Sequence, residues 1–354
     1  MQGSNSYGLL PCSCLTGNSL GISYCVKIKR KRNGGKKVKI VVLEGDSVGK
    51  DMSWNAFERF GEVKVYEKAQ QDEVKDAIRD ADIIIPNKLI IDESVLAGSS
   101  VKMVCEAATG YNNIDIAYCK EKGIRVTNVG GYSTDSVAQH TLALLLALYE
   151  KLSYYNEYVK NGTYSKSGMF GHIENYFHEI AGKTWGIVGL GAIGRKTAQL
   201  AEAFGAKVIY YSASGNHYDV PYEQVNFDKL LSESDIISIH CPLNAKTEGL
   251  FDENAFAKMK KMAVLINVAR GPVVSDEALA NALKNNQIMA AGLDVFGKEP
   301  IPEDNPLLAI KDNNRLLMTP HVGWGTVEAR SRLMEEMLLN IEAFVKNEQR
   351  NVIV

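Results

Sequence analysis

The feature that most narrows what this chain can fold into is Gly189-Leu190-Gly191-Ala192-Ile193-Gly194, set directly behind the apolar segment Trp185-Gly186-Ile187-Val188. A GxGxxG alone is weak evidence. Behind a strand and ahead of a helical pattern, it has the context of a dinucleotide-binding turn. Gly189 permits the tight turn, Gly191 lets backbone approach a pyrophosphate, and Gly194 lets helix and strand pack closely. The helix opening at Ala192 and Ile193 offers unpaired N–H groups and a positive dipole end to phosphates. A tight turn without a ligand is the competing reading, and the strand–turn–helix setting counts against it.

The rest of the chain alternates in the same way. Strands are expected at 38–43, 63–66, 82–86, 102–106 and 125–128, with helical patterns at 54–60, 72–79 and 115–122. A second series has strands at 184–188, 207–211, 235–240, 263–268, 289–294 and 315–319, and helices at 192–204, 227–232, 252–260 and 276–285. Such alternation implies parallel sheets covered on both faces. A long helix from Ser133 to about Val159 separates the series, with Val137, Thr141, Leu144, Leu145 and Leu148 on its apolar face. Residues 161–181 read as a surface excursion, and a helix over 327–345 closes the chain. The expected fold class is α/β, with two doubly wound parallel-sheet domains.

Composition sets the outer limits. With 45% hydrophobic and 23% charged residues in 354, the chain has ordinary globular make-up and the length of about two domains. Its formal charge of −2 hides an asymmetry. The first 37 residues hold seven Lys and Arg and no acid, so the remaining 317 carry −9. An acidic body argues against nucleic acid as its partner. The longest apolar run, 142–149, is far short of the roughly 20 residues of a bilayer span, so no membrane partner is expected. Residues 1–37 lack hydrophobic periodicity and read as a basic, disordered extension; a nuclear-import or nucleic-acid patch is the alternative. Cys105, Cys119 and Cys241 occur singly, Cys12, Cys14 and Cys25 lie in the basic stretch, and no zinc spacing appears. That usage points to a reducing, cytoplasmic setting and to no metal site.

One checkpoint of the glycine fingerprint is missing. The acidic residue that holds the ribose hydroxyls about 20 positions on is absent. The next strand ends Tyr210-Tyr211-Ser212-Ala213-Ser214-Gly215, and Asp219 comes too late. Without that carboxylate a 2′-phosphate is not repelled, yet in the linear sequence only His217 stands near to attract one. NAD is the expected cofactor, NADP remains open, and Ser212 and Ser214 are expected at the adenosine ribose.

Three polar residues follow later strands: Arg270 after Asn267-Val268-Ala269, Glu299 five residues after Asp294, and His321 after Thr319-Pro320. Ligands of open α/β sheets bind outside the carboxyl ends of strands. Arg suits a carboxylate, His carries a proton near neutral pH, and a Glu beside it favours the protonated ring and orients it. With a nicotinamide this set reduces a 2-oxo acid: Arg270 anchors the acid and His321 supplies the proton.

These motifs, with Gly182-Lys183-Thr184, His240-Cys241-Pro242-Leu243-Asn244 and Thr247, make the chain similar to the D-isomer-specific 2-hydroxyacid dehydrogenases over about residues 37–354. The resemblance implies a Rossmann dinucleotide-binding domain, 133–321, inserted into a flavodoxin-like catalytic domain of 38–132 and 322–354. It implies a catalytic triad of Arg270, Glu299 and His321. Ala192 and Ile193 match pyrophosphate contacts; Cys241, Pro242 and Thr247 match the adenosine side; Val268, Ala269 and Asp294 match the nicotinamide side. Ser212 replaces the usual ribose-binding Asp. Ala108-Thr109-Gly110-Tyr111-Asn112-Asn113-Ile114-Asp115 resembles the loop whose amides hold the substrate carboxylate, with Thr109 and Gly110 at its centre, and Asn87-Lys88 resembles a second substrate loop.

The run 132–141 and Trp324 resemble the glycerate dehydrogenase (hydroxypyruvate reductase) branch. The implied substrate is a small 2-oxo or D-2-hydroxy acid, with D-lactate dehydrogenase as the competitor. A dinucleotide-sensing corepressor is the alternative of another class. A homodimer is implied, with 142–148 as an interface element.

Overall fold

The computed structural model describes residues 37–312 and 314–354. The readings of the basic stretch and of Cys12, Cys14 and Cys25 lie outside the described residues.

Short apolar segments bounded by turns give two all-parallel sheets. The first contains β1 (Val38–Val42), β2 (Gly61–Val65), β3 (Ile83–Ile85), β4 (Met103–Cys105) and β5 (Arg125–Thr127), in the order β2-β1-β3-β4-β5. The second contains β6 (Thr184–Val188), β7 (Lys207–Tyr211), β8 (Glu223–Gln224), β9 (Ile236–Ile239), β10 (Val264–Asn267), β11 (Ala290–Leu293) and β12 (Leu316–Met318), in the order β12-β11-β10-β9-β6-β7-β8. Central strands are buried on both faces, which is why β3, β9 and β10 read as unbroken apolar runs. Each sheet carries a separate core on each face.

Strand order reverses between β1 and β3 in one sheet and between β6 and β9 in the other. At such a switch point neighbouring connections leave in opposite directions and open a crevice at the carboxyl ends. The two crevices hold most residues discussed below.

The helix Thr134–Tyr149 packs on β10 and β11, and the helix Val327–Val345 returns to β4. Trp324, between them in the fold, touches a core of each sheet. The last residues run beside β5. Val352 bridges antiparallel to Thr127, Val126 N–H donates to Val354 O (2.9 Å), and Ile353 N–H donates to Val126 O (2.8 Å).

Three readings need correction. The long helix stops at Tyr149, because Lys151 is left-handed (φ 52°) and buries its side chain to donate to Asn314 O (3.2 Å); a second helix, Leu152–Lys160, follows. The face of 142–148 is not free for a partner, since Leu142, Leu144, Leu145 and Leu148 are buried in the chain's own core. The 54–60 pattern forms only a 3₁₀ turn, Asn55–Arg59. The two-residue β8 is too short to show a period.

Candidate active site

The fingerprint glycines act through space rather than flexibility alone. Gly189 is left-handed (φ 91°), and a Cβ there would lie 2.7 Å from Cys241 Cα. A Cβ on Gly194 would collide with Gly189 O, so helix and turn touch only because it is absent. Gly191 faces open space, and no side chain caps the helix Ala192–Ala203 that starts after it. An uncapped helix end beside an open glycine fits a pyrophosphate, so the residues present suit a dinucleotide.

Opposite, β9 is followed by His240-Cys241-Pro242. The Thr247 hydroxyl accepts from Asn244 N–H (2.9 Å) and donates to Pro242 O (2.7 Å), so it shapes this loop from within. At the end of β7, Ser212 is buried and its hydroxyl meets that of Ser214 (3.1 Å). His217 is engaged by Gln224 (2.8 Å). A cation the linear spacing does not reveal stands over this loop: the Arg195 guanidinium lies 4.9 Å from the Tyr218 ring centre and donates to Leu190 O (3.0 Å).

A cleft of about 450 Å³ opens between the two sheets. Its walls include Asn87, Lys88, Thr109 and Gly110 from the first sheet. From the second come Ile193, Cys241, Pro242, Val268, Ala269, Arg270, Asp294 and His321. Gly189, Gly191, Ala192, Gly194, Ser212, Thr247 and Glu299 are outside this lining. The first six lie in or beside the glycine turn and the loops after β7 and β9; Glu299 meets His321 Nδ1.

Arg270 is aimed by its neighbours. Asn267 Oδ1 accepts Ala269 N–H (3.1 Å) and its Nδ2 donates to Arg270 O (3.0 Å), closing a tight turn after β10. The guanidinium lies against Gly110, where any Cβ would collide with it. Thr109 spends its hydroxyl on Val129 O (2.8 Å), so backbone is what that loop presents to a ligand.

His321 is left-handed (φ 55°), a costly backbone for a residue with a side chain. Its Nδ1 lies 2.6 Å from Glu299 Oε2, and Glu299 Oε1 accepts Phe296 N–H (3.1 Å). Burial works to raise the Glu299 pKa, but the contact and charge of His321 outweigh it and hold the carboxyl below its usual range. The His321 ring keeps Nε2 for the cleft.

Asp294 is not a plain lining residue. It accepts from Thr319 Oγ1 (2.6 Å), Val322 N–H (2.8 Å) and Gly323 N–H (2.8 Å). Against the upward pull of burial, these bonds and His140 keep it ionised below the ordinary Asp value. Asp294 thereby ties the end of β11 to the segment that leaves for the first sheet.

Two carboxylates escape the sequence reading. Glu44, just after β1, accepts the N–H groups of Asn87 (2.8 Å), Lys88 (2.8 Å) and Leu89 (3.2 Å) through one oxygen. Glu106, just after β4, is wholly buried with Oε1 unpartnered, and burial raises its pKa well above the carboxylate range. Applying the strand-end rule to the first series as well as the second finds both. His172 and His178 pack on aromatic rings: His172 stacks on Tyr158 at 4.0 Å. Among the described residues no cluster of three His, Cys, Asp or Glu could hold a metal ion.

Two α/β sheets, a dinucleotide turn and a cleft lined by Arg and His define a dinucleotide-dependent oxidoreductase. Residues 142–323 match the family described as "D-isomer specific 2-hydroxyacid dehydrogenase, NAD binding domain". The chain belongs to the D-isomer-specific 2-hydroxyacid dehydrogenase family. It is 38% identical over 323 residues to a hydroxypyruvate reductase of Blautia hydrogenotrophica, covering 89% of this chain and 99% of that one. A glycerate dehydrogenase of Methylorubrum extorquens is 35% identical, covering 89% and 98%. Among solved structures, an acyclic imino acid reductase with NADPH and D-Arg superposes with a TM-score of 0.80 at 32% identity, covering 89% of this chain and 100% of that one.

Proposed function

We propose that the protein reduces hydroxypyruvate, or a close short 2-oxo acid, to its D-2-hydroxy acid. The observation that carries this is the Glu299–His321 pair at 2.6 Å, with His321 and Arg270 lining one cleft beside the dinucleotide turn. The hydroxypyruvate reductase and glycerate dehydrogenase relatives support the substrate. A bound nicotinamide supplies the hydride. Arg270 pairs with the substrate carboxylate, assisted by backbone N–H groups of the 109–110 loop. His321, oriented through Nδ1 by Glu299, hands the proton from Nε2 to the oxygen that becomes the hydroxyl. Val268, Ala269 and Asp294 flank the nicotinamide end; Ile193 and the open Gly191 face the phosphates. The domain division this reading uses is 38–132 with 322–354 for substrate and 133–321 for dinucleotide.

Purified protein should oxidise NADH or NADPH with hydroxypyruvate. No turnover with any short 2-oxo acid would favour the sensor reading instead.

Either dinucleotide is accepted on this reading, since Ser212 does not repel a 2′-phosphate. Ser212→Asp is expected to raise the NADH/NADPH ratio of kcat/KM by about tenfold or more, through like-charge repulsion. Steady-state kinetics with both cofactors checks this; an unchanged ratio removes Ser212 from the ribose site.

The functional form is a homodimer, and its surface is the excursion 161–181, with its exposed aromatic residues, rather than 142–148. Phe170 is 100% exposed, with Ile173 and Tyr176 more than three-quarters exposed nearby. Apolar surface so concentrated is unusual unless covered. Phe170→Asp is expected to shift the species seen by light scattering from dimer toward monomer. Equal masses for both proteins would exclude this surface. Cys105, Cys119 and Cys241, buried and unpaired, fit a reducing cytoplasm. Among the described residues no helix is long and apolar enough to cross a membrane.

A further inference from the structure

The reaction accounts for Arg270 but leaves a second cation in the cleft. Lys88 reaches the cleft from the switch point of the first sheet. Its backbone is fixed by Glu44, and among the described residues its ammonium has neither hydrogen bond nor ion pair. Glu106, within electrostatic reach of it, is buried with one oxygen unpartnered. Asn113 ties the two regions together: its Nδ2 donates to Leu89 O (3.0 Å) and, at 3.4 Å, to Glu106 Oε2.

We propose that Lys88 recognises an oxygen substituent on C3 of the 2-oxo acid, and that Glu106, tied through Asn113 to the segment that carries Lys88, is its positioning residue. The proposal rests on the reductase reading above and adds to it which end of the substrate is read by what. With the carboxylate on Arg270 and the 2-oxo group on His321, the remaining variable part of a three-carbon substrate is C3. A methyl there gives an ammonium nothing to hold; a hydroxyl gives it an acceptor.

The electrostatics are arranged to suit. Lys88 is exposed to cleft solvent, and the neighbouring protein lowers its pKa through partial desolvation, with the Arg270 charge adding to the effect. Glu106, Glu299 and Glu44 oppose this from three elements. Glu106 feels Lys88 and Glu44 in turn, and Asn113 bonds it. Replacing Glu106 by a neutral residue removes one of these opposing charges and moves the pH at which Lys88 loses its proton downward.

The test compares hydroxypyruvate with pyruvate, which differ only at the C3 hydroxyl. Wild type should prefer hydroxypyruvate. In Lys88→Met the hydroxypyruvate/pyruvate ratio of kcat/KM should fall roughly tenfold to a hundredfold, the usual weight of a hydrogen bond to a charged group. Should that variant not fold, Lys88→Leu reads the same ratio. In Glu106→Gln the alkaline limb of the hydroxypyruvate profile should move to lower pH while that of pyruvate moves less; a merely structural role would shift both together. An unchanged ratio in a folded Lys88 variant, or profiles that move in step, overturns the proposal and leaves the reductase reading standing. A wild type that reduces neither substrate overturns that reading itself.

Discussion

His321→Ala is expected to lower kcat about 10²- to 10⁴-fold, the usual contribution of a positioned acid–base group. Dinucleotide affinity, read by quenching of protein fluorescence, should change little, because the helix end and glycines that hold the phosphates are untouched. The structure already commits this residue: its backbone is left-handed and Nδ1 is taken by Glu299, so only Nε2 faces the cleft. Near-normal turnover in the variant would falsify His321 as the proton carrier. Glu299→Gln should be milder, since it keeps an acceptor for Phe296 N–H but loses the charge. Because Glu299 has a lowered pKa, its support of His321 is complete above the ordinary Glu value. It is lost only as pH falls through that lowered pKa. An acid limb belonging to Glu299 should vanish in the Gln variant.

Arg270→Ala should cost the second largest effect, about 2–5 kcal/mol in kcat/KM, as for loss of one partner of a desolvated charge pair. The loss should fall heavily on KM for the 2-oxo acid. Arg270→Lys should recover little, because a point charge does not replace the planar fork. Gly110→Ala offers an independent check, since its Cβ would strike the guanidinium. A Gly110→Ala protein with unaltered KM would show that Arg270 does not bind substrate where it now rests.

Much of this was legible in the sequence because it depends on local pattern. The strand ahead of Gly189 and the helix after Gly194 announce the second sheet, and Arg270 and His321 follow strands one can read. What was not legible is non-local. Glu44 matters because β1 and β3 are neighbours, a fact of strand order that no single segment carries. Glu106 was read as a strand end, and only burial shows that its oxygen lacks a partner. Arg195 looks like one helical residue among many, although the fold brings it over Tyr218. The end of the long helix at Tyr149 escaped because no Gly or Pro marks it; Lys151 adopts the left-handed turn instead. Ser212, which replaces the Asp that the family resemblance implies, is buried beside Ser214 at the end of β7, and which ribose it meets is a matter of the bound cofactor rather than of the chain.

The antiparallel bridge of Val352 to Thr127 has a bearing on how the protein is handled. Those last residues occupy the outer hydrogen-bonding row of β5, which would otherwise be a bare sheet edge open to strands of other molecules. Proteolytic trimming of residues 351–354 would uncover it, and preparations clipped there should aggregate edge to edge.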